Sequence, residues 1–448
     1  MKKLSTSTTF IVAYFALGGA ICGYVLSIIS GAASFIKNDF NLSTAELSEI
    51  MGVFLLGGIV ANILFLFSDK FGRKLLVFVT LILYIIGILL FTTAHSSTML
   101  YVGRLVQGIS ILLGSMAFTV YLTEVAPTKH RGKMVTVFQL SWTAGMFIAN
   151  FVNMGFEQSG NWQLMFNVVL FVPVLLIIFT GFLPQTPRWL VLRGRKDEAK
   201  ELLRNLNKKL SSEDLEHEFN MILQAKDKTK DMNIFKELTQ KKFFKPILLV
   251  IAILVLTQLT GINAILQASA TMLKDTGLTS DFMSIFGAIL ISGVNFVLTI
   301  GTIMYVDKIG RIKLLKIGTG GYCITMLILS AVFFLLPVGP LKGYCMLIGL
   351  MVGVGFLAFG PTGVIYVIVA EILPNSVRST GLVIGGFASM IIGFFFISKF
   401  LVIATKGGYG ILFLVLAICA IIYFFFSIKL LPETKGKTLE EIEAIYEE

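Results

Sequence analysis

Four amide side chains stand inside long apolar stretches of the chain, where polar groups are costly to bury. They are Gln139, Gln258, Asn263 and Asn295. An amide is both a hydrogen-bond donor and an acceptor, and its burial costs less than burial of a charge. Such groups can bind a neutral solute rich in hydroxyls, which must replace its hydrogen bonds to water, or they can bind a neighbouring helix. The amides are therefore candidate solute contacts, with interhelical bonding as the alternative.

A second set of polar residues consists of charges in short motifs that occur twice. The segment DKFGRK at 69–74 returns as DKIGRIK at 307–313. The segment EVAP at 124–127 returns as EILP at 371–374, and PQTPR at 184–188 is matched by PETKG at 432–436. Three pairs in the same order and at similar offsets indicate two related halves.

Each half repeats two acidic and two basic residues within these motifs. They are Asp69, Arg73, Glu124 and Arg131 in the first half, and Asp307, Arg311, Glu371 and Arg378 in the second. Opposite charges at helix ends can pair, and a pair that exists in one conformation biases the equilibrium between conformations. The alternative, charges that only orient the chain in a membrane, explains the lysines but not acidic residues repeated in register.

The composition indicates whether the segments that carry these residues lie in water or in a lipid bilayer. The chain has 56% hydrophobic and 14% charged residues and a mean hydropathy of +0.86, so it has too little charge to cover a soluble surface. A spanning helix needs about 20 apolar residues, and twelve apolar runs are long enough to serve: 8–36, 50–68, 75–94, 99–123, 134–156, 163–183, 246–273, 282–306, 314–338, 343–370, 379–398 and 409–428. The sequence therefore predicts an all-α, multi-pass membrane protein.

The runs divide the chain into regions. We expect an N-terminal six-helix bundle at 1–184, a cytoplasmic linker with short amphipathic helices at 185–243, a C-terminal bundle at 244–431 and a cytoplasmic tail at 432–448. Within the linker, leucines at 202, 203 and 206 are spaced as the buried side of a short helix that begins near Asp197. Lys and Arg gather in the loops that share a side with both termini, which predicts that side to be cytoplasmic, in the plasma or inner membrane.

The remaining chemistry is limited. This topology accounts for the net charge of +11, so we expect no nucleic-acid partner. Four cysteines without paired spacing and three scattered histidines predict no metal site, no cofactor and no catalytic triad, and hence no enzyme. The expected partners are the lipid bilayer and a small solute, and we expect a monomer.

These motifs together resemble those of a transporter family. The doubled Asp-x-x-Gly-Arg motif resembles the signature loop of the major facilitator superfamily. The segments at 124–132, 184–190 and 432–436 resemble those of its sugar porter family, which includes facilitative glucose transporters and bacterial proton-coupled sugar transporters. The resemblance covers the whole chain. It implies two pseudo-symmetric six-helix bundles, the major facilitator fold, with alternating access to one site between the halves near the midplane.

The resemblance also assigns roles to residues. Gln139, Gln258, Asn263 and Asn295 match sugar-contacting positions, Tyr366 replaces a tryptophan that flanks the sugar, and the eight repeated charges match an inner latch that holds the outward-open state. A tyrosine can still offer a flat face to a sugar ring. Other positions depart from the family: Thr257 replaces a glutamine, Gln267 and Ala268 replace two tyrosines, and Ser389 and Met390 replace an Asn-Trp pair. A sugar, a polyol and a less hydroxylated solute all stay open.

One departure concerns energy coupling. Proton-coupled members typically place an aspartate in helix one opposite an arginine in helix four, and this chain has Val25 and Arg104 there. Valine cannot carry a proton, and an arginine at membrane depth without a carboxylate must bond to carbonyls, amides or water. We therefore expect facilitated diffusion. Proton symport and a non-transporting sugar sensor on the same fold are the alternatives.

The even number of spans in each half yields a test of topology. Single-cysteine probes at Ser5, Lys226 and Glu448 should react with a membrane-impermeant reagent from the same face of the membrane. Labelling of these positions from opposite faces would contradict the two-bundle topology.

Overall fold

Helices make up nearly all of the described chain. The computed structural model describes residues 8–126, 131–206, 213, 215–216, 219–223, 241–337, 339–373 and 378–435, without the side chains of 131–133, 241–242, 370 and 378–379. These residues contain no β-strand. An all-helical chain is what a bilayer requires, because a helix satisfies its backbone hydrogen bonds within itself.

The first half of the fold contains eight helices and a short linking turn. They are α1 (Thr8–Asp39), α2 (Thr44–Leu66), α3 (Ser68–Phe71), α4 (Arg73–Thr92), α5 (Ser97–Val125), α6 (Arg131–Phe156), α7 (Trp162–Asn167) and α8 (Phe171–Thr180), with a 3₁₀ turn at Val168–Leu170. Two linker helices follow, α9 (Pro187–Leu192) and α10 (Lys196–Leu206). The predicted amphipathic helix near Asp197 is therefore present as α10, and it packs Leu203 against Leu190 and Val191 of α9.

The second half repeats this plan with two long helices broken. It contains α11 (Lys241–Leu259), α12 (Ile262–Thr276), α13 (Asp281–Ile309), α14 (Arg311–Leu335), α15 (Pro340–Phe359), α16 (Pro361–Ile372) and α17 (Arg378–Lys429). The apolar runs 246–273 and 343–370, each expected as one helix, are interrupted at 260–261 and at Gly360. Apolar patterning does not reveal these breaks, because the hydrophobicity continues through them.

The described helices supply twelve membrane crossings. Eleven helical stretches are long and apolar enough to cross a membrane, and the last of them covers 50 residues. At 1.5 Å per residue, this stretch would be roughly 75 Å long, more than twice the hydrocarbon thickness. It turns at Gly408, whose φ of 83° is not helical, so α17 crosses twice. The prediction of two six-helix bundles is confirmed.

Glycines allow α1 and α6 to pack backbone against backbone. A Cβ atom added at Gly23 would lie 1.9 Å from the carbonyl oxygen of Trp142, and one at Gly145 would lie 2.0 Å from that of Ala20. Small residues at such positions let helices approach closely where lipid supplies no hydrophobic drive for association. This contact determines where the neighbouring Val25 lies within the bundle.

The two ends of the molecule differ in what they carry. The motif end, defined by segments 69–74 and 307–313, also holds the first described residues, the linker and the described tail. Thr8 donates to the carbonyl of Leu206, Arg193 to that of Lys70, and Lys435 to that of Lys308. The opposite end is defined by segments 39–43 and 277–280. The chain's beginning, middle and described end thus share one end of the bundle, while residues 1–7, 224–240 and 436–448 lie outside the described part.

The repeated motif has the same geometry in both halves. Gly72 has φ 91° and ψ 150°, and Gly310 has φ 104° and ψ 151°, a region that only glycine enters easily. The following arginine pairs with the aspartate four residues before it, at 2.7 Å for Arg73 and 3.0 Å for Arg311. The doubled sequence therefore reflects a doubled turn.

The two copies differ in how the next helix is capped. The carboxylate of Glu433 accepts hydrogen bonds from the backbone N–H groups of Arg311, Ile312 and Lys313 at 3.0–3.3 Å, which places a negative charge at the N-terminus of α14. In the first half Gln185 holds the matching position beside Gly72, and its Oε1 has no hydrogen-bond partner among the residues that the structure describes. A neutral amide there leaves the N-terminus of α4 without an anionic cap.

This asymmetry predicts opposite effects on stability. Glu433→Gln should destabilise the fold by about 1 kcal/mol because α14 loses an anionic cap, and Gln185→Glu should stabilise it because α4 gains one. The temperature of irreversible unfolding in detergent, measured by loss of the monodisperse species, checks both. Shifts of the same sign in the two variants would contradict this prediction.

Candidate functional site

A break between α11 and α12 positions the first two candidate residues. Gly261 adopts φ 75°, which ends α11 at Leu259 and restarts the helix at Ile262. The freed carbonyl of Thr260 accepts a hydrogen bond from the Tyr322 hydroxyl at 2.6 Å, so α14 satisfies it. Irregular backbone at membrane depth survives where protein buries it or where it lines a cavity, as in transporter binding sites.

Gln258 and Asn263 flank this break and contact each other. The Asn263 amide donates to Oε1 of Gln258 at 3.0 Å, and the Gln258 amide donates to the Ser389 hydroxyl of α17 at 3.3 Å. Gln258 and Asn263 are half-buried, so part of each residue remains accessible. A solute hydroxyl can bind such a pair by replacing the bond between the two amides.

The other predicted site residues lie farther apart. Asn295 is buried on α13, where its amide contacts the sulfur of Met146 on α6 at 3.9 Å. Gln139 on α6 is half-buried and has no hydrogen-bond partner within the described part of the chain. The Tyr366 side chain on α16 is 67% exposed. The structure thus joins Gln258 to Asn263 directly and, among the described residues, shows no hydrogen bond from either of them to the other three.

Two residues beside the site were not among the predicted contacts. Ser389 accepts from Gln258, and Asn62 of α2 donates to the Met390 sulfur at 3.2 Å and to the Gly58 carbonyl at 3.0 Å. The sequence marks Ser389 and Met390 as departures from the family, but it does not predict that they contact the site amides. Asn62 stands in an apolar run, as the four predicted amides do, so the same signal could have found it.

Arg104 is completely buried and has no carboxylate partner among the described residues. Its Nη1 donates to the Val25 carbonyl and to Oε1 of Gln107, both at 3.0 Å, and its Nη2 donates to Oε1 of Gln267 at 2.7 Å. The Phe54 ring lies 5.4 Å from the guanidinium carbon. The expected pairing with carbonyls and amides is what the structure has. Gln267, noted as a departure from the family, supplies the shortest of these bonds.

The described latch residues pair within each half. Glu124 accepts from Arg73 at 2.8 Å, and Glu371 from Arg311 at 3.2 Å. The second carboxylate oxygen of each glutamate has no partner among the described residues. The side chains of Arg131 and Arg378 lie outside the described part, so their place in the latch stays a prediction.

Among the described residues, most hydrogen bonds between the halves lie at the middle and toward the opposite end, and the contact of Asn62 with Met390 lies nearer the motif end. The Ser30 and Ser269 hydroxyls are 2.9 Å apart, and the Asn150 amide donates to Ser292 at 3.2 Å. The Ser48 hydroxyl donates to the carbonyl of Ile397 at 2.7 Å and accepts from the backbone of Leu401 at 3.4 Å. At the motif end, the ion pairs of the described residues join helices of one half. The halves are therefore held together at the opposite end.

Comparison with known proteins identifies this arrangement. The family model for "Sugar (and other) transporter" matches residues 11–446. The chain belongs to this family. The probable metabolite transport protein CsbC of Bacillus subtilis is 32% identical over 451 residues, which cover 99% of this chain and 95% of that one.

Two further similarities extend the comparison. The arabinose-proton symporter of Escherichia coli is 31% identical, covering 96% of the transporter described here and 91% of its own length. The inward open conformation of the xylose transporter XylE from E. coli superposes with a TM-score of 0.81 at 24% identity, covering 97% of this chain and 99% of that one, which shows the shared fold. The protein is thus a multi-pass integral membrane transporter, and members of its family are transporters rather than enzymes.

The amide pair generates a prediction about binding. Gln258→Ala and Asn263→Ala should each weaken solute binding about ten- to a hundredfold, because each leaves a solute hydroxyl without a partner, at roughly 1–3 kcal/mol. Tyr366→Ala should weaken binding by removing a ring face, while Tyr366→Trp should be tolerated. Binding of a radiolabelled sugar to purified protein measures these effects.

Asn150→Ala is the matched control for this series. Asn150 also carries an amide inside a membrane-spanning helix, but it is buried and donates to Ser27 and Ser292 of neighbouring helices. Its loss should lower stability more than affinity. Unchanged affinity in both the Gln258 and Asn263 variants would place the binding site elsewhere.

Proposed function

We propose that the transporter moves a monosaccharide or a related polyol by alternating access through a site between its halves. The observation that carries this proposal is the amide pair Gln258 and Asn263 at the break between α11 and α12. The pair combines donors and acceptors without a net charge, which matches neighbouring hydroxyls on a sugar ring. Ser389 extends the pair with a third polar group.

The remaining site residues fit the same proposal. Among the described residues, the Gln139 amide has no hydrogen-bond partner and the Asn295 amide contacts a sulfur at 3.9 Å, while Tyr366 has an exposed ring. Closure of the halves around a solute would bring these groups toward it, as alternating access requires. The names of the two sugar-transporting relatives, for arabinose and xylose, also support a sugar as substrate.

We further propose that transport is facilitated diffusion. Val25 offers nothing to titrate, and Arg104 is satisfied by neutral acceptors instead of a carboxylate. A cycle without a proton-carrying group can only equilibrate its solute. Proton symport is the second candidate, because a 31% identical relative is named as a proton symporter and Arg104 is retained at its position.

The cellular arrangement follows from the charge distribution. We place the motif end, both termini and the 185–243 linker in the cytoplasm, in a plasma or inner membrane, because the motif segments carry the clustered lysines and arginines. The regions 1–184, 244–431 and 432–448 then form the two bundles and the tail of a monomer. The eight repeated charges act as the latch at the cytoplasmic end.

Purified protein in liposomes tests both substrate class and coupling. Sugar uptake should stop at equal concentrations inside and outside, with or without an imposed pH gradient, because no group carries a proton with the solute. Accumulation above equilibrium under an inward proton gradient, abolished by a protonophore, would establish symport instead. No uptake of any sugar or polyol would contradict the proposed substrate class.

A further inference from the structure

A hydrogen bond in the part of the molecule toward the opposite end joins the two halves through a buried charge. Arg104 lies on α5 in the first half, and Gln267 lies on α12 in the second, with Nη2 and Oε1 2.7 Å apart. Both side chains are completely buried. The other acceptors of Arg104, Val25 and Gln107, belong to the first half. Gln267 is thus the partner of this cation that moves away when the halves separate.

The energy of this bond is large because no water reaches it and no carboxylate neutralises it. A buried cation is stabilised by the dipoles that surround it, and a hydrogen bond to a charged group contributes more than one between neutral groups. Nε of Arg104 already lacks a hydrogen-bond partner in the described part of the chain. Loss of Gln267 would therefore leave the guanidinium with two acceptors, both from its own half, until water entered.

Gln267 also connects Arg104 to the proposed binding site. Its Nε2 donates to the backbone carbonyl of Asn263, one turn earlier on α12, at 3.2 Å. Asn263 in turn donates to Gln258. The chain of bonds therefore runs from the buried cation, across the interface between the halves, to the amides at the helix break.

We propose that the Arg104–Gln267 bond holds the opposite end closed and that its neutral acceptor makes this hold independent of pH. Opening the opposite end requires α12 to leave α1 and α5, which breaks this bond. In a protein with a titratable partner at this place, protonation would change the strength of the hold, whereas an amide keeps it constant. The proposal rests on the function as an alternating-access transporter and names the residue that sets its resting conformation.

A pair of matched substitutions tests the role of the bond. Gln267→Met and Gln107→Met each remove one amide acceptor of Arg104 and keep a side chain of similar length. Gln267→Met should shift the population toward the open opposite end by about tenfold, the effect of losing one charge-assisted bond between the halves. Gln107→Met should leave this population unchanged, because the Gln107 contact lies within one half in every conformation.

Distances between spin labels at the opposite end report the population. Labels at His95 of the first half and Leu341 of the second, in a background without the native cysteines, should separate in Gln267→Met and not in Gln107→Met. Equal behaviour of the two variants would overturn the proposal. This measurement needs no substrate, so its failure is distinguishable from a failure to transport sugar.

Gln267→Glu tests the independence from pH. Its carboxylate would face Arg104 and form an ion pair between the halves, so sugar exchange should slow about tenfold at high pH and recover as the carboxyl is protonated. Tyr84 of α4 is the titratable group that interacts with Arg104, and Cys22 and Tyr24 of α1 neighbour Tyr84. On α12, the charged residues Lys274 and Asp275 lie two turns after Gln267.

The wild-type exchange rate is the reference for this profile. It should not depend on pH in the range where the Gln267→Glu variant titrates. A flat profile in Gln267→Glu, at the wild-type rate, would overturn the proposal. Sugar binding to each purified variant confirms that it is folded, and wild-type uptake tests the transport function separately.

Discussion

The structure depends on one constraint: inside a bilayer, protein must supply the partners that water supplies elsewhere. The constraint makes the described chain helical, because helices satisfy their own backbone. It also explains what surrounds the break at Gly261, where Tyr322 binds the carbonyl that the interrupted helix leaves free. A break without such a partner would expose a polar group to an apolar interior at a cost of several kcal/mol.

The two halves share the same arrangement of helices but carry different polar residues. Their signature turns have nearly the same backbone angles at Gly72 and Gly310. The crossings equivalent to α1 and α5 are broken in the second half, and the breaks place Gln258 and Asn263 beside irregular backbone. The first half, in which α1 and α5 are continuous, contains the buried Arg104. The proposed binding pair, Gln258 and Asn263, therefore lies in one half and the buried charge in the other.

Polar contacts between the halves are few among the described residues, which suits a protein that must open and close. At the opposite end the contacts use hydroxyls, as in Ser30 with Ser269 and Ser48 with the backbone of α17. Each such bond contributes about 1 kcal/mol, an amount that a bound solute can offset. The bond from Arg104 differs because its charge is completely buried, whereas the ion pair between Lys399 and Glu49 is exposed and 3.9 Å long. We therefore expect the Arg104 bond to have the larger influence on the balance between conformations.

Much of the architecture was predictable from the sequence. Twelve apolar runs predicted twelve crossings, because the length of a spanning helix follows from bilayer thickness. The repeated charged segments predicted two halves. Each segment forms the same turn, and this turn requires a glycine with positive φ followed by an arginine. The sequence likewise indicated that Arg104 would have neutral partners, since position 25 holds a valine.

The tertiary structure alone decided which partners those are. Hydrophobicity does not change at 260–261, so the break between α11 and α12 was invisible in the apolar pattern. Arg104 and Gln267 belong to different halves and are far apart in the chain, yet their side chains form a hydrogen bond. No local sequence pattern predicts a contact between residues so far apart in the chain. Spacing along a helix predicts which side of it a residue occupies, but the pairing of buried polar groups depends on how the helices pack against each other. The sequence by itself therefore determined the helices and their repeat, and packing determined which buried groups they bring together.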